Sequence, residues 1–444
     1  MAGVLRLRLP LAIVALALVI RVGLMFSAGL QSNMTDGQPH QFGAEVATVA
    51  SHIAAGIGFN SALIFAGDTG PTAIVSPLYT FLLAGIFKAF GTYTLAALVA
   101  ALLFNCIVSA LTCLPVMAIG RRLYGERASI VVGLGWAVVP YGIWHPAYVV
   151  AETCLAALLF TCIVWLSFRL GSVGRPRGWA ALGALLGITA LTNAQSLAGA
   201  PFILEWARRR LRRAGQPWLG PLAVCVTVAA IIVLPWLVRN YLVFGTPTFL
   251  RSNSGAELAI GFNAESEGPA TRQLVDKYSI WTRQPTQTAE LQRYKDLGES
   301  AYMAEQEQAA FSFIAAHPAT ALSLVVKRIG YTLVGTEYVN AIFWLDGRFL
   351  LQKQIAYAGF MLTSIAGIVL LWRARRPEAF LLAALIAAYL APEILLYPTE
   401  RHRHVIEPIM TVLSAAPVLW LAVRIRSVAG LASLRVLVPR LRRA

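Results

Sequence analysis

Charged side chains are scarce in this chain. Asp, Glu, Lys and Arg make up 13% of its 444 residues, roughly half the share of soluble domains. Acids are scarcer still, 21 against 37 Lys and Arg. There are five cysteines, Cys106, Cys113, Cys154, Cys162 and Cys225, all inside apolar runs. That argues against a disulfide framework, no Cys-x-x-Cys pair offers a metal site, and the five are expected as small buried hydrophobes. The phosphate-cradling Gly-x-x-x-x-Gly-Lys-Ser/Thr loop is missing, as are His-Glu-x-x-His and Gly-x-Ser-x-Gly. Gly56-Ile57-Gly58 has no strand before it. A cytoplasmic enzyme driven by ATP or a nucleotide sugar therefore finds no support. Nor do broken half-helices recur at matching places in two halves, as they do in many transporters.

What fills the chain is apolar: 58% of residues are hydrophobic and the mean hydropathy is +0.66. Continuous runs of about 18 or more apolar residues recur, long enough for a helix to cross a ~30 Å hydrocarbon core. In such runs only helices satisfy their own backbone polar groups. The reading is an all-α polytopic membrane protein. The net charge of +16 needs no nucleic-acid partner, because basic residues cluster between the apolar runs in the positive-inside pattern.

Charge sets the expected topology. Arg6 and Arg8 precede a retained first span, about 9–30, so the N-terminus is placed in the cytoplasm. The Arg121–Arg127 stretch is also basic, so one of the two apolar segments before it does not cross. Residues 71–90, broken by Pro71, Pro77 and Gly85, are read as an interfacial helix on the outer face. Further spans are expected at about 94–119, 128–144, 148–168, 179–192, 194–206, 218–238, 355–372, 379–396 and 405–423. That makes ten, with both termini cytoplasmic. Segments placed inside hold 22 of the 37 basic residues and only Glu126, Glu205 and Glu378 of the acids. Three parts follow: an N-terminal membrane module, 1–238, with an outer loop at 31–93; an extracytoplasmic domain, 239–353; and a C-terminal membrane module, 354–444, with a basic tail.

The outer segments hold the residues with chemical potential. From Gly43 onward, helical spacing puts Val46, Val49 and Ile53 on one face, and Glu45, Thr48 and His52 on the other. A carboxylate there is placed to accept a proton from a hydroxyl; the plainer alternative is a solvated helix face. Glu152, near the outer end of the fourth span, is a second acid, since a carboxylate at a membrane boundary is expensive unless used or paired. The turn Arg401-His402-Arg403-His404 is basic on the side where positive charge is unusual, and suits a lipid phosphate. Arg239, Arg21 and Lys88 lie where they can add to that site.

These pieces resemble the GT-C superfamily of integral-membrane glycosyltransferases, nearest to its protein O-mannosyltransferase-like and aminoarabinose-transferase-like branch. The resemblance runs through Phe42–Glu45, Ala55–Phe59, Gly70–Ala73, Ser76–Tyr79, Phe90-Gly91, Arg122–Gly125, Pro235–Tyr241, Arg251–Gly255 and Arg401–Arg403 with Pro408, in order. It implies transfer of a sugar from a polyprenyl-phosphate donor to an acceptor lipid, glycan or protein outside the cytoplasm, in a bacterial inner membrane facing the periplasm or exterior. It implies a catalytic acid in the first outer loop. That acid is usually Asp; the aligned residue here is Glu45, with Asp36 as second choice and Glu152 as partner. The family's later outer arginines, which contact the lipid phosphate, map onto Arg401 and Arg403; Arg239 and Lys88 are read from their own positions as further phosphate-binding candidates, and His40, His52 and His402 as substrate-binding candidates. No Asp-x-Asp pair is present, so the residues require no cofactor and leave a divalent metal open. A lipid-linked sugar flippase and a non-catalytic membrane scaffold are the alternatives from other classes.

Overall fold

The computed structural model describes residues 2–30, 42–63, 66–170, 176–268, 287–335, 350–396, 398 and 400–428. Among the described residues there is no strand, only an isolated bridge between Asn60 and Pro71. Nineteen α-helices follow in order: α1 Ala2–Leu24, α2 Glu45–Ala54, α3 Pro77–Phe90, α4 Leu95–Leu111, α5 Cys113–Tyr124, α6 Glu126–Val138, α7 Pro140–Tyr148, α8 Thr153–Leu170, α9 Pro176–Thr192, α10 Ala200–Arg213, α11 Leu219–Phe244, α12 Ser254–Gly261, α13 Gln287–Leu297, α14 Glu299–Ala316, α15 Pro318–Val334, α16 Leu350–Arg373, α17 Glu378–Leu395, α18 Glu400–Arg403 and α19 Glu407–Val428. Their ends carry local signals. Pro77 opens α3 where its missing N–H costs nothing, and Gly91 at φ +89° stops it. The Thr94 side chain caps α4 by accepting from the Ala97 amide.

Among the described residues, seven helical stretches are long and apolar enough to cross a bilayer, or nine if the bent pairs α6–α7 and α14–α15 each count as one. The ten expected spans correspond to those seven, the α6–α7 pair bent by 44°, α9, and a broken segment. In that segment a 3-10 turn, Ala194–Gly199, leads into α10, so the expected span at 194–206 is not one continuous helix. The 106° bend between α14 and α15 lies in the stretch read as the outer domain, at His317-Pro318. The interfacial helix is shorter than expected, because residues 71–76 are not helical.

Helices approach closest where glycine removes the side chain. Gly183 on α9 sits against the Cys225 carbonyl of α11, and Gly187, one turn on, meets Ala229 and Ile232. Small residues at this spacing let backbones touch, which drives association where lipid tails offer no hydrophobic gain. Gly367 of α16 packs likewise on the Leu413 carbonyl of α19. At the end of α1 a π-helical turn, Met25–Gly29, brings Gly29 against the Ala147 carbonyl of α7.

Arg21 is fully buried. Its guanidinium donates to Ser109 Oγ at 2.9 Å and to the carbonyls of Ala17, Trp136 and Ala137 at 3.0, 3.0 and 3.2 Å. It also lies 5.7 Å from the Trp136 ring centre. It ties α1 to α4 and α6 and is spent on that task; it does not add to an outer phosphate site. At the basic end of the bundle, Arg122 pairs with buried Glu378 at 3.4 Å, and Arg376 donates to the carbonyls of Arg122 and Leu123.

The non-helical residues Phe59 and Thr72–Ile74 are laced to α11 and the segments after it. Arg239 donates to the carbonyls of Thr72 (2.7 Å) and Phe59 (3.0 Å), and Arg251 to that of Ile74 (2.7 Å). The buried carboxylate of Glu299 accepts from the Ala73 amide (2.7 Å) and the Ser252 hydroxyl (2.6 Å) on one oxygen, and from the Tyr294 hydroxyl (3.0 Å) on the other. Burial pushes the Tyr294 pKa up, which keeps it a donor. Glu299→Ala strands these donors and should cost roughly 3 kcal/mol. The expected outcome is a lower thermal midpoint in detergent, with faster proteolysis between residues 59 and 76.

Candidate functional site

The chain turns sharply before α2. Gly43 has φ +85°, and Ala44 follows at φ +47°, ψ −103°. A non-glycine residue held there is strained, and such strain persists only where the surroundings enforce it. The surroundings are visible. A Cβ on Gly43 would stand 2.5 Å from the Val150 carbonyl oxygen, so the loop backbone lies directly on the α7–α8 junction. That junction is fixed from the other side by Asn105 of α4, which donates to the Val149 carbonyl at 2.9 Å and accepts from Tyr79 of α3 at 3.2 Å. Phe42, Phe87 and Tyr93 pack edge to face beneath the loop.

Glu45 and Glu152 each follow by two residues a partner in this backbone contact, Gly43 and Val150. Both are half-buried. Glu45 opens α2, where the helix dipole favours a carboxylate. Glu152 lies within electrostatic reach of Tyr79 on α3, Cys154 on α8 and Tyr389 on α17. Around Tyr389 a polar group gathers. Its hydroxyl donates to the His402 carbonyl at 3.1 Å; Gln195, in the 3-10 turn, donates to the Tyr389 carbonyl (2.6 Å) and to Glu393 (3.0 Å); and His402 Nδ1 lies 3.5 Å from Glu393. Gln195 and Glu393 carry no motif in the sequence. The signal that marks them is the helix break at Asn193, whose side chain caps the turn by accepting from the Ser196 amide.

The other expected residues are placed as follows. On α2, Thr48 is buried and bonds back to the Ala44 carbonyl, so α2 is embedded on more than the one face read from its spacing; Ala47, Val49 and Ala50 are buried with it. His52 is half-buried and its Nδ1 meets the Asn60 carbonyl at 3.0 Å, which pins the loop. Lys88 is exposed at the end of α3. Arg239 is engaged by carbonyls and stacks 4.9 Å from the Trp236 ring centre. The turn at 401–404 is not an open basic surface. Arg403 is buried, pairs with Glu407 at 3.2 Å and lies 3.1 Å from the Tyr357 ring centre, while His404 is buried beside it. A charge that close to a membrane interior needs a partner, and Glu407 supplies it. Arg401 lies in α18. Asp36 and His40 lie outside the described residues.

Gly43→Ala meets both a carbonyl and a forbidden φ, so it should destabilise by about 1–3 kcal/mol. Gly56, at φ +81° with open space around it, is the control. Gly56→Ala should cost only the conformational part, about 1 kcal/mol, and thermal unfolding of the two variants reads the difference.

No family model matches the chain, and no curated protein matches it. Solved structures do. The archaeal oligosaccharyltransferase AglB from Archaeoglobus fulgidus, in complex with an inhibitory peptide and a dolichol-phosphate, overlays at a TM-score of 0.52 with 14% identity, covering 97% of this chain and 52% of that one. The apo form of the Archaeoglobus fulgidus oligosaccharyltransferase overlays at 0.53 with 15% identity, covering 98% and 53%. The chain thus spans about half the length of these structures. ArnT from Cupriavidus metallidurans bound to undecaprenyl phosphate reaches only 0.36 at 16% identity, covering 91% of this chain and 77% of that one, too low to read a shared branch from it. At these identities the likeness establishes the fold alone: the chain shares the helical fold of about half of the Archaeoglobus fulgidus oligosaccharyltransferase.

Proposed function

We propose that the chain transfers a sugar from a polyprenyl-phosphate donor to an acceptor hydroxyl at the Glu45 end of the bundle, the side facing the periplasm or exterior. The observation that carries this reading is the Gly43–Val150 contact, which brings two half-buried carboxylates, Glu45 and Glu152, to one strained loop junction. A lipid-linked donor is supported by the fold, since the archaeal neighbour was solved with a dolichol-phosphate.

The reaction is a single inverting displacement. Glu45 takes the acceptor proton, the acceptor oxygen bonds to the anomeric carbon, and the bond from that carbon to the phosphate oxygen breaks with its electrons leaving on the lipid phosphate. Glu152 orients the acceptor or sugar from the opposite side of the contact, and Asp36 is the alternative base. Arg401 and Lys88 are the cations proposed to meet the donor phosphate. Arg239, whose guanidinium is held only by neutral groups, adds positive potential, while the charge of Arg403 is already paired with Glu407. His40, His52 and His402 line the substrate side.

The test uses purified protein, labelled polyprenyl-phosphate sugar and a periplasmic extract as acceptor source. Label should move to an acceptor, and Glu45→Gln and Glu152→Gln should each slow transfer by about 100-fold or more. Near wild-type transfer by Glu45→Gln would remove the base assignment. Movement of the lipid across liposomes without transfer would replace the enzyme with a flippase.

A further inference from the structure

Beneath the α7–α8 junction the structure holds a second cluster, which the transfer chemistry does not use. His145 of α7, Cys154 of α8 and His404, just before α19, are all fully buried, and one donor atom from each lies within 4.8 Å of the others. We propose that this cluster binds one transition-metal ion, zinc(II), which locks the three segments together.

The donor chemistry selects the ion. A thiol and two imidazoles suit zinc and exclude calcium and magnesium, which take oxygen ligands. Cys154 Sγ and His404 Nε2 are 3.7 Å apart. With zinc bonds of about 2.3 Å to sulfur and 2.0–2.1 Å to nitrogen, tetrahedral neighbours stand about 3.5 Å apart. That edge of the site therefore already has ligand spacing, and a His145 ring nitrogen lies within 4.8 Å of both other donors.

The surrounding groups orient the rings as metal-binding histidines require. His404 Nδ1 lies 3.0 Å from Glu407 Oε2. A proton on Nδ1, donated to that carboxylate, leaves the Nε2 lone pair directed at Cys154, the arrangement that fixes tautomer and basicity in carboxylate–histidine–metal sites. Glu407 is in turn held by Arg403 at 3.2 Å. Thr153 Oγ1 holds His145 Nε2 at 2.6 Å, and the two imidazole rings lie 4.5 Å apart between Tyr141 and Trp136. On loading, Cys154 gives up its thiol proton and the metal takes the sulfur lone pair.

Elemental analysis of the detergent-purified full chain, exposed to zinc and desalted, should give one zinc per chain. Cobalt(II) in place of zinc should show a thiolate-to-metal charge-transfer band in the near ultraviolet. Cys154→Ser should lose that band, and His145→Asn should weaken zinc binding at least tenfold while eluting as the wild type does on gel filtration. Should Cys154→Ser fail to fold, the cobalt(II) band of the wild type gives the same reading, since it should disappear as excess zinc displaces the cobalt and should be weakened in His145→Asn. Less than 0.1 zinc per chain after exposure, or wild-type stoichiometry and affinity in both variants, would overturn the site. None of these measurements depends on sugar transfer, so they stand or fall apart from the proposed activity.

Discussion

A polar group inside this bundle has no bulk water to turn to, and that constraint decides where its charges go. Arg21, buried among α1, α4 and α6, spends its guanidinium on a hydroxyl and three carbonyls. Buried Arg328 does the same with the carbonyls of Gly268, Leu395 and Gly261, under the Phe262 ring. Arg403 finds Glu407 and a tyrosine face. Each is a cation that costs several kcal/mol to bury alone, and each fastens elements far apart in sequence. The charged residues of the interior are thus fasteners.

The same constraint shapes the junction. Two backbones approach until a carbonyl faces a glycine, as at Gly43 and Val150, Gly183 and Cys225, and Gly367 and Leu413. Two of these contacts pack one helix onto another. The third, alone among them, is made by a loop at positive φ and followed by a strained alanine. The site therefore sits where the packing rule of the membrane module is extended to an irregular segment, and rigid helices on both sides hold that segment in place.

Much of this was legible in the sequence. Long apolar runs marked the spans, a helix was expected within 71–90 and lies at Pro77–Phe90, and α2 begins at Glu45, the residue its spacing singled out. What sequence could not reveal is partnership. Arg239 reads as a free cation at a span end, but its partners Thr72 and Phe59 lie 167 and 180 positions away. The basic turn at 401–404 reads as a surface because nothing local shows that Glu407, one helical turn on, draws Arg403 and His404 inward. Cys154 reads as a small hydrophobe because His404 stands 250 residues off. Thr48 was read onto a polar face because spacing reports one face, while the loop and α3 enclose the helix from several.

The π-turn Met25–Gly29 is one residue wider than an α-turn. It sets the phase at which the chain leaves the first span: deleting one residue there would rotate everything beyond by about 100°. Gly29 would then leave the Ala147 carbonyl of α7. Length changes in α1 are consequently read out where it packs on α7, so the π-turn fixes the register in which the first helix meets the element that ends at the α7–α8 junction.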